Sequence, residues 1–408
     1  MLIRIKKLFT IKGYCLFMVC MLLVGTGISI TMPYLSLYST EELGMSAGAF
    51  GVFMAVSSLS GVLINSFIAK RSDSGLNRKL VIIIAMLSSA LGYVSYLLFH
   101  NYFLLLLVVT VFNGLGAAAM PQIFAFAQES ANASKSDDKT FALSTLRSLV
   151  SLGFLIGPLG GTIILGLAGY EGLFLGTSVI FLIIASLVFF FLSNQRNTVH
   201  TKRHNKLPVP ASSLKNKQIR YPFIAFILLF AVNAINVINT PLFIVNELHG
   251  SHAVVGIVVS VCAGLEIPIM IGLGALGKKI SNHSLMIISC FIAGAYYIIL
   301  ATASHSWILI AAQLLQAVFV AIVMGNGLSY FTELLPSSPG ISATIYSNGS
   351  TIGRLVGNLG GGFIATYIGF RFVNLVCLLL VLLSFFILWK ARFHKQSEVT
   401  LEESNSVS

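Results

Sequence analysis

Twelve long apolar runs divide the chain, separated by short polar or basic stretches. They lie near 14–38, 47–69, 80–99, 102–127, 140–166 and 172–193, and again near 221–245, 253–276, 284–303, 306–331, 342–367 and 372–390. A helix rises about 1.5 Å per residue, so roughly 20 apolar residues cross ~30 Å of hydrocarbon. Lipid offers no water to backbone N–H and C=O groups, so a spanning segment must close its own hydrogen bonds as a helix. The pattern therefore predicts an all-α integral membrane protein with twelve transmembrane helices in two six-helix bundles. The first run follows a basic segment (Arg4, Lys6, Lys7, Lys12), as a secretory leader would. It is too long for a leader's apolar core, no small-residue cleavage site follows, and eleven more runs come after it, so it reads as an uncleaved helix.

Composition agrees with that pattern. Of 408 residues 56% are hydrophobic and 9% are charged, where soluble proteins carry roughly 25% charged residues. The net charge of +12 sets orientation. With both termini in the cytoplasm, all Lys and Arg residues except Arg147, Arg354 and Arg371 fall in or beside cytoplasmic loops, as the positive-inside rule requires. The basic loops then face anionic lipid. Because they are dispersed and not interleaved with aromatics, no nucleic-acid partner is expected. Residues 194–220 hold seven Lys or Arg, no acid, and Pro208 and Pro210, which reads as a flexible cytoplasmic linker between halves 1–193 and 221–390. Residues 391–408 read as a polar, unstructured tail. The five cysteines all fall within spans, without metal-ligand or disulfide spacing, and read as packing residues.

The halves repeat one another. Gly153, Gly157, Gly160 and Gly161 recur two hundred residues later as Gly353, Gly357, Gly360 and Gly361. Small residues four apart let helices approach closely. That explains either motif alone, but not their duplication at one offset. Pro33 and Pro241 likewise sit at matching depth in the first span of each half. Internal repeats of this kind place a central site between two halves.

Several segments resemble the major facilitator superfamily, and within it the bacterial sugar efflux transporters. They are Ala69-Lys-Arg-Ser-Asp73 with Asn77-Arg-Lys79, Pro121-Gln-Ile-Phe-Ala-Phe-Ala127, Leu146-Arg147 running to Ile156-Gly157-Pro158, Ile238-Asn239-Thr-Pro241 running to Val245-Asn-Glu-Leu248, Gly264-Leu-Glu-Ile-Pro268 and Phe331-Thr-Glu-Leu-Leu-Pro336. The resemblance implies the major facilitator fold and proton-driven export of sugars or sugar-like molecules from the bacterial inner membrane. It also implies a gating loop carrying Asp73, Arg78 and Lys79, and an antiporter motif at Gly153, Gly157, Pro158 and Gly161. Two departures stand out. Ala69, Ser74 and Leu76 replace the gating loop's two glycines and first Arg, and Thr162 replaces the last glycine of the antiporter motif.

Candidate chemistry lies in the polar residues within spans. A charge at the bilayer centre costs at least about 2.5–3.5 kcal/mol, so such residues usually face a cavity. Three qualify: Arg147, Glu266 and Arg354. Glu266, the sole acid well inside a span, reads as a proton or substrate site, or else as the structural partner of a buried Arg. Arg147 reads as the group that tunes it, or as a fixed counter-charge. Arg354, beside Gly353 in the glycine motif, reads as a binding group, or else as a helix contact or a residue near the outer face. Asn233, Asn236 and Asn239 lie three apart, Gln313 and Gln316 share a face, and Gln122 follows Pro121. Amides both donate and accept, as sugar hydroxyls require, although interhelical bonding accounts for any one of them equally well. Tyr34 and Tyr38 read as interfacial anchors or as platforms for a sugar ring. One buried acid without a buried His leaves no catalytic cluster, so no enzyme, cofactor or metal is expected. A drug exporter of the same architecture is the alternative, and an uptake permease the next. A monomer is expected.

Overall fold

The computed structural model describes residues 13–72, 77–133, 139–192, 216–276, 280–336 and 338–406. Nearly all of them are helical. We number the helices α1 Tyr14–Glu41, α2 Ala47–Ser72, α3 Arg78–Leu98, α4 Tyr102–Ser130, α5 and α6 within Lys139–Phe191, α7 Lys217–Glu247, α8 His252–Leu276, α9 Asn282–Thr302, α10 Ser306–Leu334, α11 Pro339–Ile368 and α12 Phe370–Ser406. By length and composition, ten stretches among the described residues suit a membrane crossing. One of these, Thr145–Phe191, is two helices joined at Gly169, whose φ of 63° and ψ of −166° break the helix between α5 and α6. Such a conformation suits glycine, which lacks the Cβ that would clash there. The thirty-residue α11 is long enough to span but is diluted by Ser, Thr, Asn and Gly. Exposed Leu107, Ile163, Phe190 and Leu379 mark lipid-facing surfaces.

Capping is local and legible. Asn101 Oδ1 accepts from the Phe103 and Leu104 N–H groups at 3.1 Å, Asn216 Oδ1 accepts from Gln218 at 2.8 Å, and Ser281 Oγ accepts from Ser284 at 3.1 Å. Each relieves a donor that the first helical turn leaves unmet. The helix at the chain's end runs to Ser406, through the stretch whose polar composition suggested an unstructured tail. Asp73 and residues 194–215 of the expected linker lie outside the described residues.

The helices form two compact units, Met1–Met45 with Phe53–Arg203, and Ser46–Val52 with His204–Ser408. In unit 1, α1 packs on α5. In unit 2, α7 packs on α11. The closeness of both contacts follows from glycine. A Cβ on Gly153 would stand 2.5 Å from the Thr26 nitrogen, and one on Gly161 would collide with the Ile30 carbonyl. Likewise a Cβ on Gly353 would stand 2.6 Å from the Ile227 carbonyl, and one on Gly357 would meet the Ala231 carbonyl. Gly160 and Gly360 instead face open space. Ser29 on α1 uses the proximity to donate across the seam to the Gly153 carbonyl at 2.9 Å.

The departure at Thr162 has a structural use. Its hydroxyl pairs with Tyr34 Oη at 2.5 Å, and both hydroxyls also reach the Pro158 carbonyl. Tyr34 is fully buried and Tyr38 nearly so, with the Tyr38 hydroxyl donating to the Tyr96 carbonyl at 2.7 Å. Both rings are therefore packing residues, neither interfacial anchors nor open platforms.

Candidate functional site

Two polar clusters occupy equivalent places in the two units. In unit 1, Arg78 opens α3 and reaches α4. Its Nε donates to Glu129 Oε1 at 3.0 Å, and one terminal nitrogen donates to Gln122 Oε1 at 2.8 Å. The second terminal nitrogen lies 2.9 Å from Glu129 Oε1. In unit 2, Asn282 opens α9 and reaches α10. Its Nδ2 donates to Glu333 Oε1 at 2.6 Å, and its Oδ1 accepts from Asn326 Nδ2 at 3.3 Å. Arg78 and Asn282, Gln122 and Asn326, and Glu129 and Glu333 are each 204 residues apart. The duplication thus extends to side-chain chemistry, with an ion pair in one copy and a neutral amide in the other.

Both clusters sit just beyond a helical irregularity. In α4, Pro121 has no N–H for the Ala117 carbonyl, and Ala117–Ala118 form a turn. In α10 the corresponding Ala321–Gly325 form a π-helical turn, a feature frequent at functional sites. Breaking a partly buried ion pair costs more than a surface pair and less than a fully buried one, about 2 kcal/mol. Arg78→Ala is therefore expected to lower the thermal midpoint of the detergent-solubilised protein clearly. Asn282→Ala should lower it less, by the ~1 kcal/mol of one hydrogen bond. Equal midpoints for Arg78→Ala and the parent protein would remove the cluster's structural role.

A third polar group lies within the body of unit 2. On α7, Asn236 Oδ1 accepts from Thr240 Oγ1 at 2.8 Å and from Tyr296 Oη of α9 at 3.2 Å. Gln313 of α10 bonds to Tyr296 Oη at 3.5 Å and to the Leu309 carbonyl at 3.0 Å. One turn along α7, Asn233 accepts from Gln316 Nε2 at 3.4 Å. Tyr296, Gln313 and Gln316 are buried, whereas Asn233 and Asn236 are half-buried. Hydroxyls and amides in this number amount to a neutral surface able to donate and accept, placed where hydrocarbon would otherwise fill the helix junction.

Glu266 lies on α8, half-buried, and makes no ion pair or hydrogen bond among the described residues. It has no Arg partner there. Cys262, one turn away on α8, lies near Tyr296, and so α8 adjoins the amide group. Pro268 on the same helix leaves the Gly264 carbonyl without its usual helical donor.

The remaining expected site residues are dispersed. Arg147 is exposed on α5, with its guanidinium 5.7 Å from the Phe124 ring centroid. Arg354 is exposed on α11 while neighbouring Gly353 faces α7. Asn239 ties α7 to α12 through the Phe370 carbonyl at 3.0 Å. Lys79 Nζ donates to the Phe189 carbonyl at 2.8 Å and thereby holds the end of α6. Gln122 belongs to the Arg78 cluster, not to the amide group. Sequence reasoning missed Glu129, Glu333, Asn282, Asn326 and Tyr296. The 204-residue spacing was the available signal for the first four, while nothing in the sequence marks Tyr296 apart from other span tyrosines. Among the described residues no group of three His, Cys, Asp or Glu is arranged to hold a metal.

A model of the Major Facilitator Superfamily matches residues 17–306 and 223–406. The chain belongs to the major facilitator superfamily. It is a multi-pass membrane transporter and not an enzyme, in keeping with the helical architecture above. Within the superfamily it is similar to sugar efflux transporter B of Salmonella typhimurium, 31% identical over 85% of this chain and 87% of that one. It is also similar to a multidrug resistance protein of Proteus mirabilis, 29% identical over 86% of this chain and 88% of that one. The solved structure of the nucleoside transporter NupG superposes with a TM-score of 0.78 at 15% identity, covering 93% of this chain and 97% of that one. At that identity the match is one of fold.

Proposed function

We propose that this major facilitator exports sugars or sugar-like molecules across the bacterial inner membrane by proton antiport, with both termini in the cytoplasm. The observation that carries the reading is the buried amide and hydroxyl group around Asn236, Tyr296 and Gln313. A sugar exposes alternating donors and acceptors around a ring, and this surface offers both. Similarity to a sugar efflux transporter supports the same substrate class. Glu266, without a fixed partner among the described residues, supplies the proton site. The basic loops support the orientation, and the two-unit construction supports alternating access.

Inverted membrane vesicles test the proposal. With the interior made acidic, radiolabelled sugars are expected to accumulate inside, and a protonophore should abolish the accumulation. The similarity to a multidrug resistance protein makes lipophilic dyes the proper comparison. Dye accumulation without sugar accumulation would replace the sugar reading with the drug reading. Sugar accumulation indifferent to the protonophore would remove proton coupling alone.

A further inference from the structure

Asn236 owes its orientation to a chain of hydrogen bonds that begins at a backbone carbonyl. The Leu309 carbonyl can only accept, so the Gln313 group 3.0 Å from it is the amide nitrogen. That nitrogen also lies 3.5 Å from Tyr296 Oη, where the hydroxyl accepts. A phenol carries a single proton, and Tyr296 directs it to Asn236 Oδ1 at 3.2 Å. Thr240 Oγ1 donates to the same oxygen at 2.8 Å. An amide oxygen has two lone pairs, so Asn236 Oδ1 is fully used. What half-buried Asn236 has left to offer is its NH2 group.

One turn away the polarity is opposite. Gln316 commits its nitrogen to Asn233. Its Oε1 has no hydrogen-bond partner among the described residues, although Gln316 is only 3% exposed. A buried acceptor left unmet is costly and calls for a donor.

We infer that α7, α9 and α10 form a subsite of fixed polarity, in which Asn236 Nδ2 donates to one oxygen of the transported molecule and Gln316 Oε1 accepts from a hydroxyl close to it. The inference rests on the sugar reading and narrows it. The ligand must present an acceptor oxygen and a hydroxyl donor within about one helical turn, as nearby hydroxyls on a sugar ring do. Tyr296, Gln313 and Thr240 are positioning residues that act through Asn236.

Fluorinated sugars separate the two roles, because a C–F group accepts weakly and does not donate, while C–H does neither. The full chain in proteoliposomes is assayed for counterflow of radiolabelled glucose, galactose and lactose. Deoxy and deoxyfluoro analogues of each exchanged sugar then compete, one hydroxyl at a time. At one ring position the fluoro analogue should inhibit nearly as well as the parent while the deoxy analogue weakens about tenfold. At a second, nearby position both analogues should weaken.

Asn236→Asp removes the donor and should close the gap between the fluoro and deoxy analogues at the first position only. Tyr296→Phe releases the lock and should narrow that gap while leaving the second position unchanged, a result that a merely structural loss would not give. If Tyr296→Phe does not fold, Gln313→Glu serves, since it turns the first donor of the chain into an acceptor. Exchange with equal losses for fluoro and deoxy analogues at every hydroxyl overturns the subsite alone, as does a gap that survives in these variants. Absence of exchange with all three sugars overturns the sugar reading and the subsite with it.

Discussion

Glu266→Gln is expected to abolish uphill transport while leaving sugar counterflow close to that of the parent protein. Glutamine keeps the length of the side chain and its capacity for hydrogen bonding, but it has no proton to release at neutral pH. A tenfold proton gradient carries about 1.4 kcal/mol per proton, enough to hold roughly a tenfold sugar gradient at one-to-one coupling. Parent vesicles should therefore concentrate sugar by about that factor, and the variant should stop at equal concentrations on the two sides. Counterflow needs no net proton movement, so it persists. Its rate should also lose pH dependence in the variant if Glu266 is the group whose protonation gates exchange.

The local structure of α8 makes this test clean. Glu266 makes no ion pair or hydrogen bond among the described residues, so neutralising it strands no basic partner. Its charge within a span is costly in itself, at least about 2.5–3.5 kcal/mol, and so Gln should fold at least as well as Glu. Failure of coupling would then be a functional result. Concentration of sugar by Glu266→Gln at the parent level, driven by a pH gradient, would remove Glu266 from the mechanism.

The fold was legible because lipid simplifies the code. Twenty apolar residues in succession have few soluble uses, and basic residues beside the spans fix their register. The polar groups were less so. Asn236, Gln313 and Gln316 could be recognised as polar positions within spans, but which amide meets which depends on the rotation of α7 against α9 and α10, and no periodicity encodes that. The duplicated clusters were hidden for a different reason. Pro33 and Pro241 are 208 residues apart, Arg78 and Asn282 are 204 apart, and Gly153 and Gly353 are 200 apart. Slightly shorter connections in the second half shift the register stepwise, so a search at the glycine offset passes over the ionic pairs. Arg78 and Asn282 also differ in charge, and only their common contact with Glu129 or Glu333 identifies them as counterparts.

Gly157→Leu is expected to prevent α1 from seating on α5, whereas Gly160→Leu, three residues along the same helix, should be tolerated. A Cβ on Gly157 would collide with Ser29 Oγ and approach the Thr26 carbonyl to 3.0 Å. The helix cannot give way by rotating a side chain alone, because Ser29 is itself bonded to the Gly25 and Gly153 carbonyls. Overpacking in a close-packed interior typically costs about 1–3 kcal/mol. A leucine pressed against backbone belongs at or beyond the upper end. A Cβ on Gly160 meets nothing within 4 Å, and replacing a helical glycine with leucine there should gain roughly 0.5–1 kcal/mol of helix propensity. The same contrast should recur in unit 2, where Gly357 presses on the Ala231 carbonyl and Gly360 faces open space. The readout is the monodisperse fraction and thermal midpoint in detergent, with a loss for Gly157→Leu and Gly357→Leu and little change for the other pair. Equal behaviour of all four variants would mean that the duplicated glycines do not set the helix spacing, and that the two seams are held by other contacts.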